Sequence, residues 1–279
     1  MSLFAPLGLR SFGMSNTGNS LDLKIEVRMM KPKEEAAFLA FMRANLKSGE
    51  RFEELWKWRQ DRQEISGGET AAIAKKDRQI VGCVGVVPAN LIVRGKPVKA
   101  SWQQDSFVHS SMRGKGVGKK LVEEAAKGWD LVMAKGTSHA MYGLRKSMGF
   151  VDISNADYLV RIQKPCLERG QWKRSALELS LLLWSTAVPS PRLRDPVEVK
   201  TIESFDQSFD SLAKKLGSRP FLSLLKDQKY LDWRYRECPG KVYKLFRAGG
   251  QEARGAIVLN VSGAVQDEGW VVDLICLPE

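Results

Sequence analysis

Between Val108 and Gly118 an extended apolar segment runs through His109, Ser110, Ser111 and Met112 into Arg113-Gly114-Lys115-Gly116-Val117-Gly118, and from there straight into a helical pattern. A strand that ends in a glycine-rich turn and continues as a helix must set that helix N-terminus at the end of a sheet strand. There the backbone N–H groups and the positive end of the helix dipole form a site for an anion. The glycines let the backbone approach a ligand without Cβ obstruction, and Arg113, Lys115, Lys119 and Lys120 add charge of the matching sign. The helix itself is read from Val117, Leu121, Val122, Ala125 and Ala126, which recur at helical spacing.

Spacing separates this loop from two other phosphate loops. A Walker loop needs Gly-x-x-x-x-Gly-Lys-Ser/Thr, which is absent, and the dinucleotide fingerprint Gly-x-Gly-x-x-Gly started at Gly114 would need glycine where Lys119 stands. Charge alone does not choose the ligand. Residues 1–150 carry 25 Lys and Arg against 15 Asp and Glu, within a chain of net charge +12, and a nucleotide cofactor satisfies that excess as well as a nucleic acid does.

The surrounding pattern predicts an α/β (α+β) chain. Leu23–Met29 alternates as a strand, Pro32 opens a helix to about Leu46, and Phe52–Arg62 reads as a second helix before Gly67-Gly68. Thr70–Lys75 and Ile80–Val87 form a hairpin about Lys76–Gln79, with Pro88 expected to end regular pairing. Strands follow at Ala100–Val108, Leu131–Ala134 and near Tyr158–Ile162, with a helix over 139–148. Beyond the proline-bearing stretch Pro189–Pro196 the order repeats. Trp58-Arg59 recurs as Trp233-Arg234, and Trp102-x-x-Asp105 recurs as Trp270-x-x-Asp273, each time with a hairpin between. The tryptophans at these points, with Trp56, are expected to pack as structure. The organisation expected is a flexible leader at 1–21, a first domain at 22–165, a linker with a helix at 166–196, and a second, incomplete unit at 197–279.

Four dispersed cysteines and two histidines suggest neither a disulfide framework nor a metal centre. The longest apolar run, Leu177–Val188, is interrupted by Glu178 and by hydroxyl residues and is too short for a hydrocarbon core of about 30 Å. A cytoplasmic protein without a membrane segment is expected.

With Arg113, Gly116 and Gly118 at a strand-to-helix junction, the loop resembles the Arg/Gln-x-x-Gly-x-Gly/Ala loop of the GNAT (GCN5-related) N-acetyltransferases. Gly149-Phe150, closing a later helix, resembles the Gly-Phe that ends a helix in that family, so the likeness spans roughly residues 23–165. It implies a GNAT fold, a mixed and mostly antiparallel twisted sheet flanked by helices, here as two tandem GNAT-like units of which the second lacks a loop. It further implies acetyl-CoA as cofactor, with the pyrophosphate on Arg113, Gly114, Lys115, Gly116, Val117, Gly118 and Lys119, and the pantetheine arm along Phe107 and Val108. The implied reaction is transfer of acetyl to a primary amine of a small molecule, an amino sugar among the candidates. Two other readings stay open: a tRNA-dependent aminoacyl- or peptidyl-transferring relative, and a non-catalytic acyl-CoA-binding protein.

Many members of the family carry a tyrosine five residues before the terminal Phe as general acid; this chain has Arg145 there, and its nearest tyrosine is Tyr142. Either could serve the thioester, Tyr142 as proton donor or Arg145 as stabiliser of the thiolate, against the plainer alternative of a packed Tyr142 and a solvated Arg145. Asp105 is the candidate base for the attacking amine. The recurrence of its register at Asp273, in a unit without a loop, equally suits a role in building the fold.

Overall fold

The computed structural model describes residues 2–4, 25–46, 49–60, 70–136, 138–152, 179, 180, 183, 197–218, 222–260 and 269–277. The chain divides into two compact units, Met1–Ser154 together with Val199–Glu279, and Asn155–Glu198. Nearly all of the latter, with the expected strand near Tyr158–Ile162 and most of the expected linker helix, lies outside the described residues.

The central hairpin forms as its turn residues dictate. Strands β3 (Thr70–Lys76) and β4 (Gln79–Val93) meet at Asp77 and Arg78, whose φ angles of 50° and 68° are both positive. Such a two-residue turn matches the right-handed twist of its strands. Arg94 and Gly95, at 51° and 75°, repeat the device between β4 and β5 (Lys96–Val108). Pro88 does not end pairing as expected, because β4 runs unbroken from Gln79 to Val93. On one edge β4 is paired by β3 up to Val86 and by a later strand from Leu91. Pro88 falls in the gap between, where a missing N–H is tolerated.

Alternation along β3 directs the two layers that cover this sheet. Ala71 and Ile73 face α1 (Glu35–Asn45) and α2 (Gly49–Gln60), where Phe38, Met42, Phe52 and Trp56 are buried. Ala72 and Ala74 face α3 (Val117–Ala126), which buries Val117, Leu121, Val122 and Ala125. The sheet order is β2-β3-β4-β5-β6-β1-β7, with β2 at Glu26–Met29, β6 at Leu131–Ala134, β7 at Val151–Asp152, and β1 at Ser2–Phe4. Strand β1 thus pairs within the expected leader, and residues 5–24 lie outside the described residues. Helix α4 (His139–Ser147) links β6 to β7 and is capped by Ser138, whose hydroxyl accepts from the Met141 N–H at 3.4 Å.

Residues 199–276 build a four-stranded antiparallel sheet in the order β12-β11-β10-β8. Its strands are β8 (Val199–Ile202), β10 (Tyr243–Ala248), β11 (Gly255–Asn260) and β12 (Trp270–Cys276). Helix α5 (Ser208–Gly217) buries Phe209 and Leu212 against Leu245, Val258 and Ile275. Strand β9 (Leu222–Leu224) pairs with Leu91–Val93 of β4, and α6 (Gln228–Leu231) continues into a π-helical turn at Asp232–Arg236. The turn carries Trp233, which stacks on Trp58 with ring centroids 4.3 Å apart and planes 7° from parallel. Each indole N–H donates to the backbone carbonyl of the other tryptophan at 3.0 Å. Trp270 departs from the packing expected of it: on the outermost strand of its sheet, it is half exposed.

At the start of the fold Glu34 accepts from both terminal nitrogens of Arg28, at 2.6 and 2.9 Å, and from Lys75 at 2.8 Å. Those bonds, from Arg28 first and then Lys75, hold its carboxyl far below the ordinary carboxylate value of 4.5. A depressed folded-state value stabilises fully above 4.5, and the contribution is lost as pH falls below that toward the depressed value. Glu34→Gln is therefore expected to lower stability at neutral pH, with the gap to wild type starting to narrow as pH falls from about 4.5 to about 3. Denaturant melts across that range check it; a constant gap contradicts the assignment.

Candidate active site

The glycine loop occupies the place that its sequence dictates. After Val108 a short 3-10 turn (Ser110–Met112) buries Met112, and Gly114 and Gly116 take φ of 74° and 75°, the left-handed region that favours glycine. Gly116 is the N-cap of α3 and offers no side-chain cap. The first N–H groups of a helix have no intrahelical acceptor, and here the intrahelical bonds begin with the Lys120 N–H, which donates to the Gly116 carbonyl at 3.2 Å. A Cβ at Gly118 would lie 3.4 Å from the Leu144 side chain of α4, an ordinary contact, so packing does not by itself require the glycine there. Arg113 donates from Nε to the Val108 carbonyl at 3.1 Å, tying the loop to the strand end. His109 lies beside the loop in a local contact, its Nδ1 2.8 Å from the Ser111 hydroxyl.

Strand β5 opens the second part of the site. It pairs in parallel with β6 only over Ala100–Gln103, while on its other edge pairing with β4 continues to Val108. The stretch Ser106–Val108 lies beyond the pairing with β6, an edge of the kind that can take an extended ligand by strand addition. The opening coincides with a bulge. Cys83 pairs with Phe107 but Gly85 with Gln104, which leaves an extra residue on β5. Asp105 sits in it at φ 50°. The Phe107 ring packs against Phe41 of α1, with centroids 5.7 Å apart.

Asp105 is held by a residue that the sequence reading left unassigned. Arg59 of α2, 8% exposed, donates to the Asp105 carboxylate at 2.8 Å and from Nε to the Leu55 carbonyl at 3.1 Å. The joint recurrence of Trp-Arg and Trp-x-x-Asp was the available signal, because two motifs that repeat together can be partners. The counterpart Asp273 is built differently: its carboxylate takes Lys226 at 2.6 Å and the Tyr235 hydroxyl at 2.6 Å. Burial, reinforced by Asp273, pushes the Tyr235 phenol far up. A second bulge, between Val258 and Leu259, places an extra residue on β12 beside Asp273.

Tyr142 and Arg145 exchange the environments of the plainer expectation. Tyr142 is 40% exposed and donates its hydroxyl to Asp152 at 2.7 Å, and that bond raises its pKa. A phenol so held is a poorer acid. Arg145 is only 3% exposed, with Nη2 3.4 Å from the Ser106 hydroxyl on the open part of β5, its guanidinium carbon 5.9 Å from the Phe150 ring centre, and a buried Nε that lacks a hydrogen-bond partner. Burial lowers its pKa to about 10, so it remains a cation at neutral pH. Helix α4 thus brings Arg145, rather than the Tyr142 hydroxyl, to the open edge.

Among the described residues no three His, Cys, Asp or Glu side chains come together to hold a metal, and no helix is long and apolar enough to cross a membrane. Cys83 and Cys238 are buried free thiols and Cys276 an exposed one.

Residues 67–152 match the acetyltransferase (GNAT) domain family. No curated protein matches the chain. Among solved structures, a GCN5-related N-acetyltransferase from Kribbella flavida superposes with a TM-score of 0.54 at 13% identity, covering 94% of this chain and 59% of its own. A conserved protein of unknown function from Enterococcus faecalis V583, described as a probable N-acyltransferase, gives 0.53 at 12% identity, covering 91% and 59%. The present chain therefore spans 59% of the length of each.

Proposed function

We propose that the chain, whose residues 67–152 match the acetyltransferase (GNAT) domain family, transfers acetyl from acetyl-CoA to a primary amine of a small molecule. The observation that carries the reading is the continuity of an uncapped helix N-terminus, at Gly116–Lys119, with the part of β5 at Ser106–Val108 that lies beyond its pairing with β6. Together they suit a ligand with a pyrophosphate at one end and a peptide-like arm at the other. Acetyl-CoA, when bound, supplies the activated acyl group as a thioester. The N–H groups of Lys115, Gly116, Val117, Gly118 and Lys119, with the charges of Arg113, Lys115 and Lys119, bind the pyrophosphate, and the backbone of Phe107 and Val108 orients the arm. Asp105 takes the proton that the amine sheds as it attacks, and the Arg145 cation stabilises negative charge at the leaving sulfur. Amino sugars fit the acceptor class of small primary amines.

For residues 197–279 the reading is an incomplete second unit of the same kind. The strand order β8-β10-β11-β12 parallels β2-β3-β4-β5, and the reciprocal Trp58 and Trp233 contacts and the two bulges beside Asp105 and Asp273 support it. Calorimetric titration with acetyl-CoA, followed by thiol release across a panel of primary amines, tests the activity; binding without release for any amine would reduce the protein to an acyl-CoA binder. With an accepted amine, Asp105→Asn is expected to slow turnover on the order of a hundredfold. Asn tolerates positive φ as well as Asp does, so the bulge survives, and a thermal melt separates lost turnover from the cost of leaving Arg59 without its carboxylate. Unchanged turnover would return Asp105 to a purely structural role.

A further inference from the structure

Arg145 poses a charge problem that acetyl transfer leaves half solved. A guanidinium that is 3% exposed normally has a carboxylate beside it. Arg59, the other buried arginine among the described residues, has Asp105 beside it. Among the described residues, the contacts of the Arg145 guanidinium are the neutral Ser106 hydroxyl at 3.4 Å and the face of Phe150, while Nε is buried without an acceptor. Its depressed pKa has burial as its cause. A thiolate forms only during turnover, so it does not compensate this cation in the resting complex. A carboxylate that arrives with the cofactor does.

Resting on the acyl-CoA reading above, we propose that Arg145 selects an acyl group that itself carries a carboxylate, so that the preferred donor is a dicarboxylic monothioester such as malonyl- or succinyl-CoA. The position fits the far end of the acyl group. Arg145 contacts Ser106, two residues from Val108 on the part of β5 beyond its pairing with β6, where the arm leads toward the thioester. A planar guanidinium with a free Nε–H can take a carboxylate through two parallel hydrogen bonds, which a neutral acetyl methyl does not satisfy. The chemistry is otherwise that of acetyl transfer. The amine nitrogen forms the C–N bond as the C–S bond breaks, the amine proton passes to Asp105 and then to the solvent or the thiolate, and the distal carboxylate is carried over unchanged.

The test is a set of calorimetric titrations of acetyl-CoA, malonyl-CoA and succinyl-CoA into the whole chain and into Arg145→Met. For the wild type, at least one dicarboxylic thioester is expected to bind roughly tenfold or more tighter than acetyl-CoA, as charge-assisted bonds to a buried cation give. In Arg145→Met the ratio between acyl groups is expected to collapse toward one. Equal affinities in the wild type overturn the proposal even if the variant fails to fold, and leave the acetyl-CoA reading standing. A preference that survives in a folded Arg145→Met overturns it too, by placing the carboxylate elsewhere. Failure of all three thioesters to bind overturns both readings.

Discussion

Gly116→Trp is expected to weaken acetyl-CoA binding by about a hundredfold or more while leaving the fold in place. The glycine has φ 75°, and a Cβ there would meet nothing within 4 Å, so the indole enters the space in front of the loop rather than the core. Two effects add. The left-handed conformation costs an L-residue roughly 1–2 kcal/mol, which pulls the loop away from its cradle shape. The ring then covers the N–H groups of Val117 and Gly118, which the pyrophosphate would otherwise occupy, and each lost charge-assisted bond is worth about 1.5–3 kcal/mol. Calorimetric titration of wild type and variant, with a thermal melt of each, gives the comparison. Equal affinity would take the loop out of the cofactor site.

Trp56→Ala is expected to destabilise the protein by about 3–5 kcal/mol, the range for removing a large aromatic from a core. Trp56 is fully buried, lies 4.8 Å from Phe38 between ring centroids, and donates its indole N–H to Glu35 at 2.7 Å. Truncation opens a cavity between the helices and the sheet and strips Glu35 of that donor. The effect reaches the site because α2, which Trp56 anchors, also carries Arg59, the partner of Asp105. Trp56→Phe refills most of the volume and is expected to recover most of the loss. Urea melts of the three proteins decide it, and a loss under about 1 kcal/mol for the alanine variant would show that α2 is held by other contacts.

How much of this was legible beforehand depended on sequence distance. The loop was readable because its strand end, glycines and helix start are contiguous, and its anion-binding capacity follows from local backbone geometry. The hairpin turn at Asp77-Arg78 was readable for the same reason. Pro88 misled, because whether a proline ends a strand depends on which neighbour lies along that edge, and the chain supplies that neighbour only at Leu222–Leu224. Trp270 misled likewise: recurrence of a tryptophan marks its register, but exposure follows from its strand being outermost in its sheet.

From sequence alone came most of the order of elements, the glycine loop at Arg113–Gly118, and the recurrence of two motifs along the chain. These rest on spacing and on local conformational preference. The tertiary structure alone decided that β5 leaves β6 after Gln103, that Arg59 holds Asp105 across 46 positions, and that Arg145 is buried while Tyr142 is not. A charge's partner and its distance from water are properties of packing. Residues far apart in the chain set them, and no local pattern at position 145 encodes whether an acid waits beside it.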